Sequence, residues 1–289
     1  MDISYKQRLS ELKINLTTFN KSQEIIPGNM FKDLFTIKEK AVNNEDQQAA
    51  KQAWCLEQVG NIHNTFCMAF TEIKNEKYLN AWHLFERCEI DLHFLTRHFQ
   101  NSFLDFNLDF IDEYVAKWQS LFPYKYFFSP GYIKKNKKCS ICGKKISFRN
   151  HCGHEPGEVY NGRMCSRIVE DAEVLEVSLV TNPTQKYSVI LFSDHETGEV
   201  KDNYDYRIIA YVINYLESPF HGWEYRETKK VHPHSNFKHI SKDEDCPCGS
   251  KEKYEACCLK KSGVELPHYQ FIFEHVPRNE FSEIIYYKL

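Results

Sequence analysis

DCPCGSKEKYEACC, residues 245–258, carries Cys246, Cys248, Cys257 and Cys258, four thiols within thirteen positions. Thiolates are the soft ligands that closed structural zinc sites use, and four of them complete a tetrahedron. Gly249 lets the backbone turn tightly after the first pair. Ser250 is placed to cap a short helix reaching about Cys257, which would swing the second pair back toward the first. The alternative is a redox or disulfide cluster. A tight cysteine cluster in a reducing compartment favours metal instead.

On these residues a resemblance can be stated. CPCGS, six further residues and a Cys-Cys pair resemble the SEC-C motif, the small zinc module at the C-terminus of the translocase motor SecA, also found on many unrelated bacterial proteins. The likeness covers about fifteen residues. It implies zinc binding and docking to a partner. The chain departs from the motif between its cysteine pairs, where the family has glycine and a run of lysines. Here stand Lys251, Glu252, Lys253, Tyr254, Glu255 and Ala256, and upstream Lys242-Asp243-Glu244-Asp245 replaces a basic residue and Asn-Asp-Pro. Those changes leave the thiols in place and weaken the basic face that would attract polyanions.

The 289 residues suffice for one large or several small domains, and 42% hydrophobic with 15% aromatic content can build real cores. A net charge of −3 argues against a strongly cationic nucleic-acid binder, although a local patch is compatible with it. The opening MDISYKQRLSELKI has no apolar core of a signal peptide, and no run of 18 apolar residues occurs, so neither leader nor membrane span is expected. Of eleven cysteines, eight fall in two clusters. That pattern points to a reducing, cytoplasmic setting with metal sites.

Residues 1–130 read as a helical bundle. Met30, Leu34, Ile37 and Ala41 form one stripe after the break at Pro27-Gly28, and Leu56, Val59, Phe66, Phe70 and Ile73 form another. Tyr78, Ala81, Phe85, Cys88, Leu92, Leu95 and Phe99 alternate by threes and fours. A fourth helix is expected near 109–121, ended by Pro123. Cys55, Cys67 and Cys88 are scattered along these helices and read as core.

Arg87 and His93 have the Arg-x5-His spacing that resembles the ribonuclease motif of HEPN domains, themselves helical bundles. The resemblance implies RNA cleavage in phage defence or a mobile-element system. On an unbroken helix the two side chains point about 240° apart, so catalysis would need a break between them.

Residues 131–172 read as a zinc-knuckle module opened by a basic linker at 131–138. Cys139 and Cys142 begin a knuckle closed by Gly143, and Cys152, His154 and Cys165 supply further donors. The preferred four are Cys139, Cys142, His154 and Cys165, with Cys152 as substitute. Lys134, Lys135, Lys137, Lys138, Lys144, Lys145 and Arg149 surround the knuckle and form a candidate nucleic-acid patch.

Residues 173–240 read as a small α+β segment, with strands at 173–181, 187–193 and 223–231, a turn at 195–198 and a helix at 204–216. EVSLVTNP, 176–183, is similar to the closing strand of tailed-phage prohead proteases, without the serine and histidine motifs such an activity needs. His221, His232, His234 and His239 lack a helical ligand spacing and are left out of the metal set. Residues 241–289 read as the SEC-C-like zinc module followed by an apolar tail at 269–273 and 281–287 that docks back. The chain is therefore expected to be an α+β protein with two structural zinc ions. It is expected to be a binding or adaptor protein for protein or nucleic-acid partners, with an RNase or other hydrolase as the alternative.

Overall fold

The computed structural model describes residues 4–22, 24–99, 104–193, 197–275 and 284–285. The chain is mixed α+β, with six α-helices and small antiparallel sheets among the described residues. It divides into two units, Met1–Tyr206 and Arg207–Leu289.

In the first unit five helices carry the core: α1 (Tyr5–Ser22), α2 (Gly28–Asn43), α3 (Gln47–Lys74), α4 (Tyr78–Phe99) and α5 (Leu108–Leu121). Leu9, Leu12 and Leu16 of α1 are buried at steps of three and four, as are Met30, Leu34, Ile37 and Ala41 of α2. Asp46 caps α3 by accepting the Ala49 N–H at 3.0 Å. Glu45 and Glu76, both at positive φ, make the tight turns into α3 and α4, which set consecutive helices side by side. The rings of Phe85 and Trp118 stack at 6.1 Å in the interior, joining α4 to α5. Phe122, the residue before Pro123, is extended and ends α5, as a residue before proline tends to be.

The stretch expected as a basic linker is instead the distal half of β1 (Phe127–Cys139). Three short strands, β2 (Lys145–Ile146) and the hairpin of β3 (Val159–Tyr160) and β4 (Arg163–Met164), precede the long β5 (Arg167–Val180). The sheet order is β2-β1-β5, all antiparallel, and β1 and β5 pair from Phe127↔Val180 to Cys139↔Arg167. Lysine on both faces of β1 hides the alternation by which a strand is recognised. Of the strand expected at 187–193, Phe192–Ser193 forms β6, paired with β7 (Val200–Lys201), and Val189 makes one bridge to Phe127. Upstream of it Lys186 is pinned to α4: its backbone N–H donates to the buried Glu86 carboxylate, and its carbonyl accepts from Trp82 Nε1 at 2.7 Å. Residues 195 and 196 of the expected turn lie outside the described residues.

In the second unit α6 (Arg207–Asn214) buries Ile208, Ile209, Val212 and Ile213. It starts later than expected because Tyr204 is held outside it, its N–H donating to Asp202 Oδ1 at 3.2 Å. A sheet of order β10-β9-β8 follows, from β8 (Trp223–His232), β9 (Val264–Phe273) and β10 (Ile284–Ile285). β9 uses both faces. Val264 and Leu266 join the core of the cysteine module, with Phe237, Tyr254, Cys246, Cys257 and Cys258. Phe271 and Phe273 lie on the opposite face by strand alternation and meet the rings of Tyr211 and Tyr215, with Tyr215 and Phe273 at 4.9 Å. Apart from the 284–285 pairing, the expected 281–287 tail lies outside the described residues.

Candidate metal centres

Cys246, Cys248, Cys257 and Cys258 place their sulfurs within 4.8 Å of one another. Two measured edges are Cys248–Cys257 at 3.6 Å and Cys257–Cys258 at 3.9 Å. Sulfurs about 2.3 Å from a tetrahedral zinc stand about 3.8 Å apart, so the spacing fits that ion. The site forms without the expected helix from Ser250. Cys246 N–H donates to the Glu252 carbonyl at 2.7 Å and Gly249 N–H to the Cys246 carbonyl at 3.0 Å, closing a knuckle with Gly249 at φ +78° and Lys251 at φ +62°. A left-handed residue in that position cannot continue a right-handed helix. Ser250 caps a sulfur instead, its hydroxyl donating to Cys257 Sγ at 3.3 Å.

Burial alone would raise the Cys248 thiol, but the Ser250 hydroxyl and N–H and the neighbouring thiols outweigh it and bring it down to about 6. Cys258 goes the other way, pushed by burial up to about 12. Cys248 is therefore ready to lose its proton near neutrality, whereas Cys257 and Cys258, both raised, need the metal to do so. Tyr254, buried beneath the site, shares a 2.7 Å hydrogen bond between its hydroxyl and His234 Nδ1. His234 thus serves as a support, and His232 is buried on β8.

In the first unit Cys139, Cys142, Cys152 and His154 form the second group within 4.8 Å. Cys139 Sγ lies 3.7 Å from His154 Nδ1, close to the tetrahedral edge of about 3.6 Å for sulfur and nitrogen on zinc. This group contains both Cys152 and His154, and it leaves outside the Cys165 of the preferred set. Cys165 is nonetheless one edge away, its sulfur 3.9 Å from that of Cys139. Its backbone is fixed by bonds to Gly157 and Glu158, and Arg167 Nη1 donates to its sulfur at 3.5 Å. Burial would raise Cys139, yet the Cys142 and Ile141 N–H groups and adjacent thiols bring it down to about 6.

The two centres differ in enclosure. Three of the four C-terminal cysteines are buried, whereas Cys142 is exposed and Cys152 and His154 are half-buried. The central knuckle also leans on the helices of its own unit: His98 Nε2 bonds the Gly157 carbonyl at 2.7 Å, and Arg97 pairs with Glu158 at 3.4 Å. No sequence pattern marks those two contacts.

The candidate catalytic pair is not assembled into a site. Arg87 and His93 are both exposed on one uninterrupted helix, and Arg87 pairs with Asp91 at 2.7 Å. Among the seven cations of the basic patch, Lys135 pairs with Glu173 at 2.8 Å and Lys138 with Glu170, while Lys144 Nζ donates to the His151 carbonyl at 2.8 Å. A groove of about 370 Å³ lies between α4, α5 and residues 181–186, and Lys186 Nζ is held there by Glu89 at 2.6 Å and Gln119 at 2.9 Å. No helix among the described residues is long and apolar enough to cross a membrane. In comparisons with known proteins the chain matches no family model, no curated protein and no solved structure.

Proposed function

We propose that the chain is a cytoplasmic binding or adaptor protein with two structural zinc ions and no catalytic role. The observation that carries this is the gathering of seven thiols and one imidazole into two four-donor groups, each within 4.8 Å. Neither group keeps an open position: four soft or borderline donors fill a tetrahedron, the arrangement of structural rather than catalytic zinc. Cys139, Cys142, Cys152 and His154 hold the first ion, with Cys165 as the spare donor. Cys246, Cys248, Cys257 and Cys258 hold the second, as a SEC-C-like module. Zinc stands in for core where the chain is rich in turns, and such modules act by docking to a partner.

Metal analysis of the purified chain tests the reading. About two zinc per chain is expected, falling to about one when either group loses a thiol and to none when both do. Zinc content of one or less in the intact protein refutes it.

A further inference from the structure

In the first unit the strand β5 pairs with β1 along its whole length, and among the described residues no strand pairs with its other edge. Alternate N–H and C=O groups of an antiparallel strand point away from its partner, so this edge is a template for another strand. Lysine, proline, other charges and bulges are the usual deterrents to such pairing. From Arg167 to Val180 there is neither lysine nor proline, and the charges present are acidic except for Arg167. Register shifts at Glu170, between Asp171 and Ala172, and at Leu175 leave two straight runs, 172–174 and 176–180.

The β1–β5 ribbon is two-faced. Phe128/Leu179, Pro130/Val177 and Tyr132/Val174 are cross-strand pairs on one side. Val174, Val177 and Leu179 remain 56%, 58% and 61% exposed. The other side carries charge: by register β5 sets Asp171, Glu173 and Glu176 there, Glu170 sits at a register shift, and the strand's single cation, Arg167, bonds Cys165 Sγ and the His154 carbonyl instead. β1 answers both features, with Phe128, Pro130 and Tyr132 on the apolar side and Lys135 and Lys138 paired with Glu173 and Glu170. The filled edge thus displays the chemistry that the free edge selects. A second copy of β5 fits poorly, because two-fold pairing would set these carboxylates against one another.

We propose that the free edge of β5 binds an extended segment of a partner protein, apolar at alternate residues and basic at those between, added as a fourth strand. This rests on the reading of the chain as a binding protein, and it names where and what it binds.

The test uses the full zinc-loaded chain and fluorescence anisotropy with a labelled alternating Lys–Val peptide of about twelve residues. The comparison is a peptide of equal charge in which two central valines are proline, unable to complete a ladder. The alternating peptide is expected to bind, and the proline peptide to bind about tenfold or more weakly. The variant Asp171→Lys/Glu176→Lys, with zinc content and far-ultraviolet circular dichroism unchanged, is expected to lose binding to a similar extent. Equal binding of both peptides would reduce the effect to charge attraction and overturn the proposal. So would absence of binding by a chain that retains two zinc ions, which leaves the zinc reading intact. Self-association abolished by the double variant would assign the edge to a second copy, and peptide displacement by an RNA oligonucleotide would assign the ribbon to nucleic acid; either result overturns it. Zinc content of one or less, by contrast, is the failure of the reading above.

Discussion

Gln47 and Asn161, 114 positions apart, hold each other by two hydrogen bonds: Gln47 Nε2 donates to Asn161 Oδ1 at 2.6 Å, and the Asn161 N–H donates to Gln47 Oε1 at 2.9 Å. The first turn of α3 is thereby fastened to the turn between β3 and β4. Gln47→Ala removes both bonds, a loss of about 1 kcal/mol for a partly solvated pair. Amide hydrogen exchange should accelerate at residues 157–163 while zinc content stays at two. Unchanged exchange would show that His98 and Arg97 alone fasten the knuckle.

The donor sets give a sharper expectation. Cys152→Ser should lower the zinc content of the central site or its affinity by more than Cys165→Ser, because Cys152 belongs to the four-donor group and Cys165 stands beside it. Competition with a chromogenic chelator measures the difference. Greater loss with Cys165→Ser would restore the Cys139, Cys142, His154 and Cys165 set.

Acidification should empty both sites. Cys139 and Cys248 are lowered from 9.0 in the unfolded chain to about 6 in the fold. A group lowered on folding contributes stability that is complete above its unfolded value and is lost as the pH falls through its folded value. Thermal midpoints and bound zinc are therefore expected to decline together as the pH is taken down through about 6. A midpoint flat from pH 7 to 5 would contradict the assignment of these thiols.

Glu86 is buried in α4, where burial raises its carboxyl above the usual range, and it accepts the backbone N–H of Lys186. Replacing it with Ala leaves that N–H without its acceptor, so Glu86→Ala should cost about 1–3 kcal/mol in urea denaturation. Glu86→Gln, which keeps an acceptor oxygen, should cost less. If both variants cost the same, the bond to Lys186 is not the source of the effect.

Where one physical rule dominated, the sequence was readable. The three-and-four spacing of Met30, Leu34, Ile37 and Ala41 became one buried face of α2, because burial of an apolar stripe decides a helix. Cysteine spacing marked both clusters, because closely spaced thiols are natural metal donors, but it preferred Cys165 where the gathered central group has Cys152. Three features resisted. β1 carries four lysines between 134 and 138, which erase its alternation, and its strand identity comes from pairing with a segment some forty residues away. Ser250 has the side chain of a helix cap, but the left-handed backbone at Lys251 turns the chain before a helix can start. The clamp on Lys186 depends on Trp82 and Glu86, about a hundred positions distant, which no local pattern announces.

β9 turns its even-numbered side chains to the cysteine module at one end and its odd-numbered ones to α6 at the other. Sliding this strand by one residue would withdraw Val264 and Leu266 from one core and Phe271 and Phe273 from the other simultaneously. The two penalties fall on the same misalignment, so β9 acts as a key cut on both edges. Inserting a single residue between His268 and Phe271 would leave at most one end seated. Metal retention and α6 packing can then be restored only by deleting a residue elsewhere in the strand.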